Sequence, residues 1–398
     1  MRIFIHDYPG HAFPMQLSRQ LAREGHTVVH AFAAALEAPR GAVESRPEDP
    51  ATLTILPIIT GAAMDKYAFV RRVLDERAYG AMLAKAVSDA APDLFITCTT
   101  PNDVLDVLRE RLPRSLRVLW WLQDIYSVGI KSVLNRKLPF FGRVVGWIYR
   151  GKEKRFARRA DHIVSITPDF LPFLRKLGVP EGMVTVIENW APVNEITPLP
   201  HDNNWKREQG LTGKTVILYS GTLGLKHNPA LLSRTALHYQ AQGRDEVVMV
   251  VATQGLGADF LRKEVEARGI RNLRVLPWQP YDRLPEVLSS ADILTAIIEP
   301  DAGLFSVPSK ILSCLCVGRP VVAAIPRDNL AARTIQQARA GLVVEPDDEA
   351  GFIARLDRLL DDAALRTQMG ANGRAYAEEK FDIAKIAARF LDLAREKP

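Results

Sequence analysis

Lys310 sits in a setting that suits an anion. It closes the run Val307-Pro308-Ser309-Lys310 and opens an apolar stretch that stops at Gly318-Arg319-Pro320. Ser306 is expected to cap this stretch as a helix, Pro308 fits its first turn, and Gly318 with Pro320 ends it. A helix start gathers unpaired N–H groups and a partial positive charge, and a lysine within one turn adds a full charge. Together they suit a phosphate. The ordinary alternative is a capped core helix in an α/β layer, and the residues alone leave both open. Two further candidates follow strand-like runs. His11 comes after Arg2–His6 and the turn Asp7-Tyr8-Pro9-Gly10, and Asp124 comes after Leu116–Leu122. Open α/β sheets bind ligands at the carboxyl ends of their strands. His11 reads equally as a plain loop histidine, and Asp124 as a helix cap.

Positioning such groups takes parallel sheets. Strand-like runs at Arg2–His6, Thr27–Phe32, Leu94–Cys98, Leu116–Leu122, Asp161–Ile166 and Val184–Ile187 alternate with helical patterns. A polar, proline-bearing stretch from Pro192 to Asn204 separates them from a second set. That set runs through Thr215–Ser220, Glu246–Thr253, Leu273–Leu276, Asp292–Ile298, Val321–Ile325 and Gly341–Val344. Strand, turn, helix and strand in this order imply right-handed crossovers and one parallel sheet per domain. Between residues 36 and 90 only a helical pattern from Asp65 to Ala90 stands out. The loop after the first strand holds one glycine, Gly10, so the dinucleotide fingerprint is missing.

With 398 residues, 47% of them hydrophobic and 25% charged, the chain is expected to form two globular domains. No apolar run approaches the roughly 20 residues that span a bilayer, and the first residues enter a strand without a signal-type apolar region. Cys98, Cys314 and Cys316 make no CxxC and read as buried thiols of a reducing compartment. No zinc-ligand spacing is present. The net charge of +6 is concentrated: residues 131–159 hold ten cations and one carboxylate, Glu153, which leaves the remainder acidic. A local anionic partner is expected, and no nucleic acid. The block interleaves Phe140, Phe141, Val144, Val145, Trp147 and Ile148 with its cations. It reads as an interfacial segment whose aromatics enter a lipid headgroup boundary while Arg143 and its neighbours meet anionic lipid. Burial against the first domain is the alternative.

The stretch Val307-Pro308-Ser309-Lys310 with Gly318-Arg319-Pro320-Val321 resembles the donor-phosphate helix of family-4 retaining glycosyltransferases, in their exopolysaccharide and O-antigen branch. Gln123-Asp124 and Glu188-Asn189-Trp190-Ala191-Pro192 are similar to that branch as well. The resemblance covers the whole chain and is weakest over residues 36–90. It implies an α/β protein of GT-B type, two Rossmann-like domains facing across a cleft. The first, 1–192, would take the acceptor, and the second, 205–378, the nucleotide-sugar donor. Residues 379–398 would form a helix packing back on the first domain.

The resemblance also implies site residues. Donor contacts fall on Gly221, Thr222 and Lys226 (with His227 as the alternative to the lysine), on Thr253, and on Trp278 and Gln279 beside the base. Around the central helix they fall on Phe305, Ser306, Ser309, Lys310 and Ser313. Phe305 and Ser313 stand where the family carries two glutamates, and Glu299 and Asp301 precede them in the same loop. Asp124 and His11 would serve the reacting centre. Gly10, Phe140, Phe141, Arg143 and Trp147 would serve the acceptor and membrane side. The implied activity is metal-independent, retaining transfer of a sugar from a nucleotide diphosphate sugar, with UDP foremost. The acceptor would be lipid-linked or a saccharide, in cell-surface polysaccharide assembly at the inner face of the cell membrane. No cofactor is implied beyond the sugar nucleotide. A nucleotide-sugar epimerase of the same fold and a non-catalytic donor-binding protein are the alternatives. Gln123-Asp124 and the Glu188–Pro192 motif favour the transferase.

Overall fold

Val247–Ala252 is an uninterrupted apolar run, and all six of its residues are buried. A strand buried on both faces needs helices above and below its sheet, the layering of a parallel α/β domain. The computed structural model describes residues 1–36, 38–60, 69–135, 139–224, 227–301 and 306–395, without the side chains of residues 69, 70, 133 and 139–141. The chain divides into two compact units, Met1–Asn189 with Asp382–Pro398, and Trp190–Phe381.

The first unit opens with β1 (Arg2–Asp7), α1 (Ala12–Arg23), β2 (Thr27–Ala33), β3 (Leu53–Ile58) and α2 (Phe69–Ala90). It continues with β4 (Leu94–Cys98), α3 (Asn102–Arg111), β5 (Arg117–Leu122), α4 (Tyr126–Asn135) and α5 (Pro139–Ala157). β6 (His162–Ser165), α6 (Leu171–Leu177) and β7 (Val184–Val186) complete its sheet. The strands are parallel and lie in the order β3-β2-β1-β4-β5-β6-β7. The order reverses between β1 and β4, so their carboxyl ends open the crevice where such sheets take ligands.

The second unit runs α7 (Asn204–Glu208), β8 (Thr215–Ser220), α8 (Pro229–Ala241), β9 (Val247–Ala252), α9 (Leu256–Arg268) and β10 (Leu273–Leu276). α10 (Leu284–Ser289), β11 (Ile293–Ile297), α11 (Lys310–Cys316), β12 (Val321–Ala324), α12 (Leu330–Gln337) and β13 (Gly341–Val344) follow. Two helices end it, α13 (Glu349–Asp361) and α14 (Ala363–Lys380). Its parallel sheet has the order β10-β9-β8-β11-β12-β13, with the switch point between β8 and β11.

The terminal helix α15 (Ile383–Arg395) returns to the first unit, as expected. Its spacing of Ile386, Ala387, Phe390, Leu391, Leu393 and Ala394 makes one buried stripe. That stripe packs on α1, and Phe390 meets Trp121 edge-on at 4.8 Å between ring centroids. Arg117 Nη2 donates to the Leu393 carbonyl at 2.8 Å, and Arg389 Nη2 to that of Val186 at 2.7 Å.

Two readings need correction. β3 was not expected at all, because Thr54 and Pro57 interrupt its apolar run and most of its positions stay partly exposed. It lies at the sheet edge, where a proline costs no inner ladder bond. The central helix is shorter than its sequence suggests. α11 begins at Lys310, and its flanking residue Ser309 is helical in backbone and makes no capping bond. Ser306 lies outside the helix and does not cap it; its carbonyl accepts from Asn329 Nδ2 at 3.0 Å. All three cysteines are buried and unbridged.

Candidate active site

The turn after β1 builds the polar site of the first unit. Gly10 has φ +80°, and its N–H donates to the Asp7 carbonyl at 3.2 Å. Any other residue would be strained there, and its Cβ would lie 3.2 Å from Val43 Cγ1. Gly10 therefore shapes the turn and faces Val43 and Phe32. The reversal sets His11 over Asp7, a residue that sequence reasoning passed by. The Asp7 carboxylate is buried. It accepts from the His11 main-chain N–H and lies 3.3 Å from His11 Nδ1.

Burial works against the Asp7 charge, yet the His11 imidazole and N–H, with His30 behind them, hold its carboxyl below the ordinary value. Burial likewise opposes a charged His11, but the carboxylates of Asp7 and then Asp124 raise it above its usual range. The fold thus brings His11 and Asp124 into one electrostatic field with Asp7. The His11 ring stacks on Phe13 at 5.5 Å, and Phe13 meets Trp121 edge-on at 5.4 Å, which fixes the imidazole plane. Neighbouring His6 is different in kind. It bonds Thr100 Oγ1 and Tyr79 OH, each at 2.8 Å, and burial lowers it to about 3, so it stays neutral.

Asp124 lies half-buried between β5 and α4. Ser127 N–H donates to Glu153 Oε1 at 2.9 Å, and Val128 N–H to the Ile125 carbonyl at 3.1 Å. Gln123 and Asn189 exchange amide bonds of 3.1 and 2.6 Å. Two motifs far apart in sequence are thereby tied together beside Asp124.

In the second unit, Gly221, Thr222 and Lys310 converge at the switch point between β8 and β11. Lys310 Nζ lies 3.7 Å from the centre of the Tyr219 ring, bonds the Tyr219 hydroxyl, and reaches the Thr222 carbonyl at 3.5 Å. Gly221 has φ +129°, and a Cβ there would sit 3.5 Å from Lys310 Cε and Nζ. Among the described residues no carboxylate pairs with this ammonium, and burial pulls it down to about 7. Tyr219, the fully buried floor of the site, carries no sequence signal beyond the alternation of its strand.

At the carboxyl ends of β9 and β10, Thr253 Oγ1 and Trp278 Nε1 are buried without a hydrogen-bond partner among the described residues. Orphaned buried donors of this kind ask for a partner. Ser309 is exposed at the start of α11, and Ser313 is half-buried one turn on. Gln279 is not available in the same way. Its Oε1 accepts from Trp205 Nε1 at 2.8 Å and its Nε2 donates to the Pro277 carbonyl at 3.0 Å, so its amide holds the loop. His227 Nδ1 accepts from Gly224 N–H at 3.1 Å and closes its own turn. Lys226 and Phe305 lie outside the described residues, as do the side chains of Phe140 and Phe141.

The described part of the basic block lies at the end of α4, in α5 and just after it. Its inner face joins a network: Lys152 pairs with Asp103, Arg155 with Asp106 at 3.2 Å, and Tyr149 OH donates to Asp103 at 2.6 Å. Arg159 donates to the carbonyls of Pro113 and Leu116 at 2.7 and 3.0 Å. Three of the cations therefore serve the fold, a division the sequence did not reveal. The outer face keeps Arg143, Val144 (42% exposed), Trp147 (76%) and Ile148 (44%), beside exposed Arg150, Lys154 and Arg158. Among the described residues there is no His, Cys, Asp and Glu grouping fit for a metal and no helix long and apolar enough to cross a membrane.

Comparison with known proteins gives one consistent result. The family described as "Glycosyl transferases group 1" matches residues 201–376, and the "Glycosyl transferase 4-like domain" matches residues 11–190. The chain is 26% identical over 284 residues, 69% of its length, to the putative colanic acid biosynthesis glycosyl transferase WcaI of Escherichia coli K12, covering 67% of that relative. It is 24% identical to the alpha-D-kanosaminyltransferase of Streptomyces kanamyceticus over 48% of each protein, so it spans about half of that relative. Its fold superposes on Anabaena HepE in complex with UDP-glucose with a TM-score of 0.70, at 16% identity, over 98% of this chain and 99% of the other.

Proposed function

The chain belongs to the group 1 glycosyl transferases, on a GT-B fold, and from that premise we propose that it transfers a sugar from a UDP-sugar to a lipid-linked or saccharide acceptor, retaining the anomeric configuration, in cell-surface polysaccharide assembly. The observation that carries the donor half is Lys310: an ammonium with aromatic and carbonyl neighbours, no paired carboxylate among the described residues, and a glycine loop beside it. A leaving diphosphate supplies the missing negative charge, and its stabilisation is the main electrostatic task of the reaction. Lys226, the second lysine that the resemblance assigns to the donor, adds to it. Ser306, Ser309 and Ser313 offer hydroxyls around α11, and Thr253 and Trp278 offer their unused donors to the nucleoside.

The acceptor half falls to the first unit. Asp124 orients the acceptor hydroxyl or offsets positive charge developing on the sugar, and His11, held by Asp7, donates to an anionic oxygen. The departing phosphate oxygen takes the acceptor proton on the same face, so no protein base is assigned. The UDP-glucose complex of HepE and the name of WcaI support the donor class and the pathway class. The outer face of α5 holds the enzyme on an anionic membrane surface, with Trp147 and its apolar neighbours in the headgroup region. The test is a melting-temperature screen against UDP, GDP, ADP and dTDP, since a nucleotide that binds the folded state raises stability by mass action. Incubation of the UDP-sugar with and without a polyprenyl-diphosphate saccharide follows. Selective stabilisation by UDP and label transfer that needs acceptor are expected. Conversion of the donor alone would replace the transferase with an epimerase.

A further inference from the structure

A cavity of about 450 Å³ lies in the second unit at the amino ends of β11 and β12, where Asp292 and Pro320 enter the sheet. The Gly221 and Lys310 cluster is at the carboxyl ends of the same sheet. The volume falls in the range of small-molecule sites. Three arginines line it, Arg319, Arg366 and Arg374, against one carboxylate, Asp292.

That carboxylate is already balanced. Asp292 Oδ2 accepts from Val216 N–H at 2.8 Å, lies 3.1 Å from His201 Nε2, and has buried Lys206 Nζ at 4.0 Å. The arginines are held mainly by neutral carbonyls. Arg319 donates from Nε and Nη2 to Ser289 O at 3.0 and 2.8 Å. Arg366 Nη1 donates to the carbonyls of Leu359 and Leu360. Arg374 Nη1 donates to those of Val193, Ile196 and Cys316, while its Nε pairs with Glu378 at 2.7 Å. A guanidinium has five N–H groups, so each fork is fixed in place with donors left over. Among the described residues, Arg374 alone of the three has an acidic partner of its own.

We propose that this cavity is a second anion site, for the phosphate of a small phosphomonoester, distinct from the donor site. Fixed guanidinium forks match phosphate oxygens in pairs, and the space beyond them admits a sugar-sized body. The site also touches α11 from behind. Arg374 holds the carbonyl of Cys316, the final residue of α11, and Arg319 follows three residues later. A ligand drawn onto these forks therefore bears on the helix whose other end presents Lys310.

The experiment is isothermal titration of the full chain, saturated with UDP, using a hexose 6-phosphate and separately inorganic phosphate. The hexose phosphate should bind with UDP present and more tightly than inorganic phosphate. Thr367→Glu places a carboxylate on the rim at an exposed helical position and should weaken binding by about tenfold or more through like-charge repulsion. Arg366→Gln should weaken it too, while Lys310→Ala leaves it intact. Unchanged melting temperatures for Thr367→Glu separate loss of the site from loss of the fold. If Thr367→Glu is unstable, Ala371→Glu on the same exposed wall replaces it. No binding of either probe, displacement by UDP, or indifference to the rim carboxylate would overturn the proposal.

Discussion

Nucleotide binding should draw a proton onto Lys310. Burial lowers this ammonium to about 7, and no carboxylate among the described residues offsets it. At about pH 8, roughly nine in ten free molecules then hold Lys310 neutral, since each pH unit is tenfold in the protonation ratio. A diphosphate oxygen at Nζ favours the charged form. Complex formation should take up about 0.9 proton near pH 8 and about half a proton near pH 7, by the same arithmetic. Titration calorimetry in buffers of different ionisation heat reads this directly. Lys310→Met keeps most of the side-chain volume over Tyr219 and removes the titrating group. It should abolish the uptake and weaken UDP binding by roughly 1.5–3 kcal/mol, the worth of a charge-assisted bond. In the free protein the sign runs the other way. A lowered lysine value means stability that is present at high pH and lost as pH falls from the ordinary value to about 7. The methionine variant should lose that slope. Equal uptake by wild type and Lys310→Met, or none in wild type near pH 8, would refute the placement of the diphosphate at Lys310.

Four further outcomes are expected. Asp124→Asn should lower kcat while the melting temperature stays near wild type; a collapse of the melt before any loss of activity would return Asp124 to a structural role. Asp7→Asn should move the His11 titration down toward its ordinary value, read by NMR. The stability that charged His11 contributes below its unfolded value, and that disappears as pH rises through its raised one, should shrink. Phe390→Ala should cost about 3–5 kcal/mol as a buried aromatic truncation, and limited proteolysis should then cut within α15 first. Replacing Val144, Trp147 and Ile148 by serine should release the protein from anionic liposomes without changing UDP affinity; sedimentation with neutral vesicles as strong as with anionic ones would remove the charge component of the docking.

Where burial writes itself into composition, the sequence was legible. β9 is apolar throughout, and β4 and β11 are apolar but for one buried threonine each, because both of their faces are covered. Turn residues then gave the order of elements and the parallel topology. β3 was missed because an edge strand with a proline and a polar residue has no such signature. The start of α11 was misplaced for a related reason: a serine and a proline mark where a helix can begin, while the Ser306 carbonyl is engaged by Asn329 and the helix opens at Lys310. Lys310, His11 and Asp124 stood out as charged groups after strands. Their partners did not. Asp7 needed the turn geometry at Gly10, and Tyr219 needed the register of β8 with β11. Gln279 misled because a loop amide beside a tryptophan reads as a binding group, and only the position of Trp205 shows where its bonds go.

The return of α15 to the first unit has a consequence for biosynthesis. Residues 383–395 leave the ribosome only after the whole of Trp190–Phe381 has been made. Until then the nascent first domain carries an uncovered flank on α1 and a Trp121 ring that lacks its contact with Phe390. Its folding therefore closes after translation of the second domain, and during that interval the bare flank is the natural target of a holding chaperone or a premature protease.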